Sequence, residues 1–168
     1  MKKSKNIYLA YLYGSNSYHI FNDEIDKKWF LDIVRLVQKR INCEVYAFCL
    51  LEKEVHFLLG VQNQKLMKLF LNEIIQEFQR YKKDSKLIFC STYQYKKKMS
   101  AAEILEYCRN IHALPLEKKY VKHLRDYWWS SYRDYLRKYS TGIVNTSVII
   151  THLDENENKA MNKFVKLH

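Results

Sequence analysis

A carboxylate and an imidazole stand two residues apart in the apolar stretch 49–60, which reads Cys-Leu-Leu-Glu-Lys-Glu-Val-His-Phe-Leu-Leu-Gly. On a β-strand, residues two apart point to the same face, so Glu54 and His56 would project together. Such a pair can ligate a hard or borderline divalent metal ion. A strand can equally carry a histidine that a hydrogen bond satisfies. This stretch therefore predicts either a metal pair or a structural histidine.

The composition favours a compact protein with a polyanionic partner. The 168 residues suffice for one domain, with or without a tail, and 48% of them are hydrophobic, with three Gly and one Pro. The formal net charge is +11, which indicates nucleic acid first and a membrane surface second. Fourteen Tyr, eight Phe and three Trp add rings that can stack on unpaired bases. The alternatives are that the charge only keeps the protein soluble and that the aromatic rings only pack in the core.

The cysteines and the N-terminal residues predict a cytoplasmic protein. The four cysteines show no CxxC spacing and lie in apolar segments, as buried free thiols do. The first residues, Met-Lys-Lys-Ser-Lys-Asn, lead into a strand pattern and not into the core of a signal peptide. No apolar run approaches the ~20 residues that a membrane span needs. We therefore expect no membrane partner.

Alternation and helical periodicity predict six elements in the order β-α-β-β-α-β. The strands are expected at 6–13, 44–51, 55–60 and 87–95. One helix begins at Asn22-Asp23 and a second carries the apolar stripe of residues 66–78. This order predicts an α+β, ferredoxin-like antiparallel sheet with both helices on one face. The other face would be left for a ligand.

The rest of the chain predicts more helices. Lys96, Lys97 and Lys98 form a basic link, either solvated or in contact with phosphate. Ser100 and Glu103 form a capping box that opens a third helix, which we expect to end at Pro115. A second capping box at 131–134 opens a short helix, and a last helix covers 154–167. We expect a domain over 1–116, with a helical C-terminal extension over 117–168 packed on it.

Three motifs together resemble the REP-associated tyrosine transposases, a family of single-strand (HUH) transposases. Residues 47–58 read Ala-Phe-Cys-Leu-Leu-Glu-Lys-Glu-Val-His-Phe-Leu, against the family's Ala-Tyr-Cys-Leu-Met-Pro-Asn-His-Val-His-Leu-Leu. Residues 107–115 read Tyr-Cys-Arg-Asn-Ile-His-Ala-Leu-Pro, against Tyr-Cys-Arg-Tyr-Ile-His-Gln-Asn-Pro. The family's Trp-Ser-Ser-Tyr-Arg then follows at the matching distance, at 129–133. The resemblance covers nearly the whole chain.

The resemblance implies a reaction whose residues are changed here. In the family, two histidines and a polar residue of the tyrosine helix hold Mg²⁺ or Mn²⁺, and a tyrosine phenolate attacks the phosphate. The histidine positions fall on Glu54 and His56, and the polar position falls on Leu114. The nucleophile position falls on Asn110, whose carboxamide cannot form a phosphotyrosine. Tyr107, one helical turn earlier, is the candidate substitute, with a packing role as the alternative.

The resemblance therefore implies a DNA-binding protein without strand cleavage. Its partner would be single-stranded or hairpin DNA, and it would form a homodimer with a weak or lost Mg²⁺ or Mn²⁺ site. The expected nucleic-acid contacts are Lys96, Lys97, Lys98, Arg109, His112, Arg133 and Arg137. For His112, a helix-surface or helix-end position without DNA contact is the alternative. Two other functions stay open: an active transposase that uses Glu54, His56 and Tyr107, and a domesticated structural or interaction protein.

Overall fold

The computed structural model describes residues 5–15, 18–83, 89–95, 99–137 and 139–168, with backbone alone for 90–95. Its four strands are β1 (Asn6–Gly14), β2 (Glu44–Leu50), β3 (Glu54–Val61) and β4 (Phe89–Tyr95). Its α-helices are α1 (Glu24–Ile41), α2 (Gln64–Lys82), α3 (Ala101–Glu117), α4 (Tyr132–Tyr135), α5 (Ser147–Leu153) and α6 (Glu157–Leu167), with a 3₁₀ turn at Leu124–Asp126. None of the described helices is both long enough and apolar enough to cross a membrane.

The strands form one antiparallel sheet in the order β2-β3-β1-β4. Strand β3 lies between β1 and β2, so the β1-α1-β2 unit is split by an antiparallel strand. The predicted α+β class and the order β-α-β-β-α-β are thus confirmed. The short link between β2 and β3 forms the predicted hairpin.

One face of the sheet packs against α1 and α2. Val55, Phe57 and Leu59 alternate along β3 and all belong to this core. Phe30 of α1 and Phe70 of α2 are fully buried against them. The helices therefore cover this face as the sequence predicts.

The opposite face is covered as well, which corrects the prediction of a sheet face left open for a ligand. Leu9 and Leu58 of the sheet pack with Ile104, Cys108 and Ile111 of α3 in a second core. Parts of the C-terminal region, including α5 and α6, join the same core. The physical reason is the apolar stripe of α3, which is removed from water when it packs against the apolar side chains of the sheet.

The ends of α3 and α4 confirm one predicted capping box and correct two other predictions. Ser100 and Glu103 form the predicted capping box at the start of α3. Pro115 does not end that helix, which continues to Glu117, because a proline in the last turn removes few hydrogen bonds. Ser131 makes no side-chain cap for α4, so the second predicted capping box is wrong. Helix α5 was not predicted from the sequence.

Candidate functional site at Glu54 and His56

Strand β3 brings Glu54 and His56 to the face that carries α3. Their registered neighbours on β1 are Tyr13 and Tyr11. His56 Nε2 lies 3.3 Å from Glu54 Oε2, and the side chains are only 12% and 15% exposed. The predicted pairing of the two side chains on one sheet face is therefore seen.

Two tyrosines line one side of this pair. The Tyr11 ring meets the His56 ring edge-on at a centroid distance of 5.0 Å, and the Tyr13 ring does so at 6.4 Å. Burial, followed by the nearby phenols of Tyr13 and Tyr107, raises the pKa of Tyr11. The Tyr11 phenol therefore stays protonated near neutral pH.

A lysine that the motifs did not single out completes the site. Lys118 caps the end of α3, and its ammonium contacts Glu54 Oε1. Burial raises the pKa of Glu54, but Lys118 and His56 outweigh burial and hold that pKa below its ordinary value. Burial also lowers the pKa of His56, and the Glu54 carboxylate offsets only part of this effect. Near neutral pH the site thus holds a carboxylate, an ammonium and a neutral imidazole.

This charge state does not fit Mg²⁺ or Mn²⁺. The buried His56 Nε2 faces the Glu54 carboxylate at 3.3 Å without meeting hydrogen-bond geometry. The Lys118 ammonium already neutralises the one carboxylate. Among the described residues, no further His, Cys, Asp or Glu joins the pair to make a group of three. A divalent ion here would meet one imidazole and a neutralised carboxylate.

Removing the Lys118 charge should therefore create metal affinity. We expect Lys118→Met to bind Mn²⁺ at least about tenfold more tightly than the wild type, because a like charge close to the ion is lost. Titration calorimetry measures the change. Lys122→Met removes an exposed lysine elsewhere and should have no effect, and adding Glu54→Gln to Lys118→Met should abolish the gain. Equal Mn²⁺ affinity in the wild type and Lys118→Met would contradict the role given to Lys118.

The predicted nucleophile position lies on the exposed side of α3. Asn110 is exposed, whereas Tyr107 is half-buried and packs against the second core. The two positions stand roughly 60° apart around the helix axis. Leu114, at the family's polar position, is half-buried in the same core and offers no ligand atom. Asn110 supplies no hydroxyl that could attack a phosphate.

His112 takes a different place from the predicted one. It is fully buried, and its Nε2 lies 2.7 Å from Ser131 Oγ. This burial contradicts both a contact with nucleic acid and a helix-surface position. His168 lies with Nε2 2.9 Å from His112 Nδ1. Together with Cys108 they form a group that could hold a metal.

Of the predicted basic residues, the structure describes Arg109, Arg133 and Arg137. Arg109 is exposed on α3. The Arg133 guanidinium stacks on Trp128, 3.3 Å from the ring centroid, and Arg137 pairs with Glu157. Lys96, Lys97 and Lys98 lie outside the described residues.

A basic segment after α3 was missed from the sequence. Lys119, Lys122 and Arg125 are exposed and make no ion pair with a described residue. Lys122 and Arg125 line a cavity of about 580 Å³, and none of the described residues that line it is acidic. The available signal was the charge run after residue 116, which stands directly beyond the motif of α3.

A solved structure matches the fold. The chain matches no protein-family model and no curated protein. A structure described as a REP-associated tyrosine transposase bound to a REP hairpin aligns with a TM-score of 0.68, over 86% of this chain and 91% of that chain. This chain shares its fold. The identity is 12%. A protein of Deinococcus radiodurans R1 with a transposase designation aligns at 18% identity over 63% of this chain and 90% of that chain, with a TM-score of 0.44.

Proposed function

We propose that the protein binds single-stranded or hairpin DNA and does not cleave it. The observation that carries the proposal is the fold shared with a transposase whose structure holds a REP hairpin, combined with a net charge of +11. Charge of this sign favours a polyanion. The fold by itself does not imply the function, and the surfaces of this chain supply the further support.

The basic segment 119–125 is the proposed phosphate-binding surface. It follows α3 and Lys118 directly in the chain. Its three exposed cations, Lys119, Lys122 and Arg125, have no acidic partner among the described residues, so they are available to phosphate. Arg109, exposed on α3, is the further predicted contact that we retain.

Trp128 is the proposed stacking platform for an unpaired base. Its side chain is 53% exposed, and Tyr139, 43% exposed, meets it edge-on at 5.6 Å. Arg133 covers a face of the Trp128 ring and adds a positive charge beside it. Aromatic rings next to cations are the common way to hold single-stranded nucleic acid.

The residues at two positions support the proposed loss of cleavage. Asn110 stands where the resemblance places the nucleophile and cannot form a phosphotyrosine. Lys118 neutralises Glu54, where the resemblance places a metal ligand. We therefore propose that the Mg²⁺ or Mn²⁺ site is lost.

The experiment is a binding titration of labelled DNA at low salt, with a hairpin, a single strand and a blunt duplex of equal length. We expect the hairpin and the single strand to bind more tightly than the duplex. Trp128→Ala should weaken hairpin binding about tenfold, since base stacking contributes about 1–3 kcal/mol per base. Trp29→Ala is the matched control, because Trp29 is 49% exposed but lies on α1, which packs on the face of the sheet opposite α3. Absence of binding to all three DNAs would favour the structural or interaction role instead.

The resemblance also leads us to propose a homodimer. Sedimentation of the full chain at micromolar concentration tests this directly. A monomer at every concentration would contradict it, without affecting the DNA-binding proposal.

A further inference from the structure

We infer that Cys108, His112 and His168 form a binding site for a zinc-class divalent ion, separate from the Glu54–His56 pair. Cys108 Sγ lies 3.8 Å from His112 Nδ1, and this nitrogen lies 2.9 Å from His168 Nε2. All three ligand atoms lie within 4.8 Å of one another. One thiol and two imidazoles are the ligand types that Zn²⁺ and related ions prefer.

The outer nitrogen of each histidine already has a hydrogen-bond partner, as the outer nitrogens of metal-bound histidines do. His168 Nδ1 lies 2.9 Å from the Phe164 carbonyl oxygen, and it must donate a hydrogen because a carbonyl only accepts. In the neutral ring this leaves a lone pair on Nε2, which faces His112. His112 Nε2 is held by Ser131 Oγ at 2.7 Å. The two inner nitrogens face each other.

The ring protons of His112 and His168 have hydrogen-bond acceptors both without and with the ion. Without it, Ser131 donates to His112 Nε2, and His112 Nδ1 donates to His168 Nε2. With it, the His112 proton sits on Nε2 and is donated to Ser131, whose hydroxyl turns to the Phe48 carbonyl, 3.3 Å away. The inner lone pairs of both rings then face the ion. Every N–H has an acceptor in both arrangements.

Burial suits a structural site. Cys108 and His112 have no exposed surface. Burial raises the pKa of the Cys108 thiol, so the thiolate forms only as the ion binds and the thiol proton leaves to solvent. Burial, followed by His168, lowers the pKa of His112, which keeps its ring neutral. His168 also lines the cavity of about 580 Å³, which has room for a water as fourth ligand.

The ion would join two distant parts of the chain. Cys108 and His112 lie on α3, and His168 directly follows α6. A bound ion would therefore fix the C-terminal helix to the helix that packs on the sheet. Since this role depends on the three ligands and not on DNA, it can be tested without DNA.

The test uses the tag-free full chain, stripped with chelator and titrated with Zn²⁺ alone. We expect one Zn²⁺ per chain and a rise in the unfolding midpoint of about 5–10 °C at a hundred times the Kd. Co²⁺ should give a thiolate-to-metal absorption band. His168→Gln, at a partly exposed position, should keep the fold and lose the midpoint shift, and Cys108→Ala should lose the cobalt band.

Cys43→Ala is the matched control, because Cys43 is also a buried free thiol but belongs to the other core. It should keep both the zinc stoichiometry and the cobalt band. Failure of the wild type to bind Zn²⁺ at micromolar concentration would overturn the inference. Full binding retained in His168→Gln or Cys108→Ala would overturn it too.

Discussion

Replacing Phe164 by alanine is expected to lower the free energy of unfolding by about 3–5 kcal/mol. The side chain is fully buried on α6 and stacks on Tyr135 at a centroid distance of 4.6 Å. It also stacks on Tyr132 at 5.8 Å and lies 4.2 Å from the His168 ring. Its removal leaves a cavity between α6 and the core formed with α3, and aromatic contacts are lost in addition.

Chemical denaturation of both proteins at one temperature measures this loss. Val165→Ala is the control on the same helix, because Val165 is 49% exposed and should change stability by less than about 0.5 kcal/mol. A Phe164→Ala protein as stable as Val165→Ala would mean that α6 does not pack as described.

The affinity for hairpin DNA is expected to fall about 10²–10³-fold between 50 and 200 mM salt. A fall of this size corresponds to about four to five phosphate contacts. The physical reason is that phosphates bound by lysine and arginine release their counterions, and added salt opposes this release. Fluorescence anisotropy across a salt series gives the slope of log affinity against log salt. Affinity that is unchanged over this range would contradict a basic binding surface.

Substituting groups of basic residues tests where the DNA-binding surface lies. Changing Lys119, Lys122 and Arg125 together to glutamine should reduce the salt slope by about two to three, since each phosphate contact contributes about one. The matched control changes Lys28, Lys39 and Lys65, three exposed lysines of α1 and α2 on the other side of the sheet. Equal slopes for both triple variants would place DNA elsewhere.

The fold was predictable because its signals are local. Alternation on β3 separates Val55 and Phe57 from Glu54 and His56, and the structure keeps that separation. The capping box at Ser100 also acts within four residues. Such features depend on neighbours in the chain, which the sequence displays directly.

The site was predictable only in part because its contacts are long-range. Glu54 and Lys118 stand far apart in the chain, and only the packing of α3 on the sheet brings them together. The same packing buries His112, whose place on the helix could not reveal that the C-terminal region covers it. The sequence pattern at Ser131 predicted a helix cap. In the structure its hydroxyl accepts a hydrogen bond from the Phe48 backbone N–H, a long-range contact that a local pattern does not show.

The claim that DNA is bound and not cleaved is tested most directly on one reaction mixture. Hairpin DNA with single-stranded flanks is incubated with the protein and Mn²⁺, then run on native and denaturing gels. The proposal predicts a retarded complex on the native gel, with intact, protein-free DNA on the denaturing gel. A covalent protein–DNA adduct that disappears in Tyr107→Phe would contradict it and establish Tyr107 as the nucleophile.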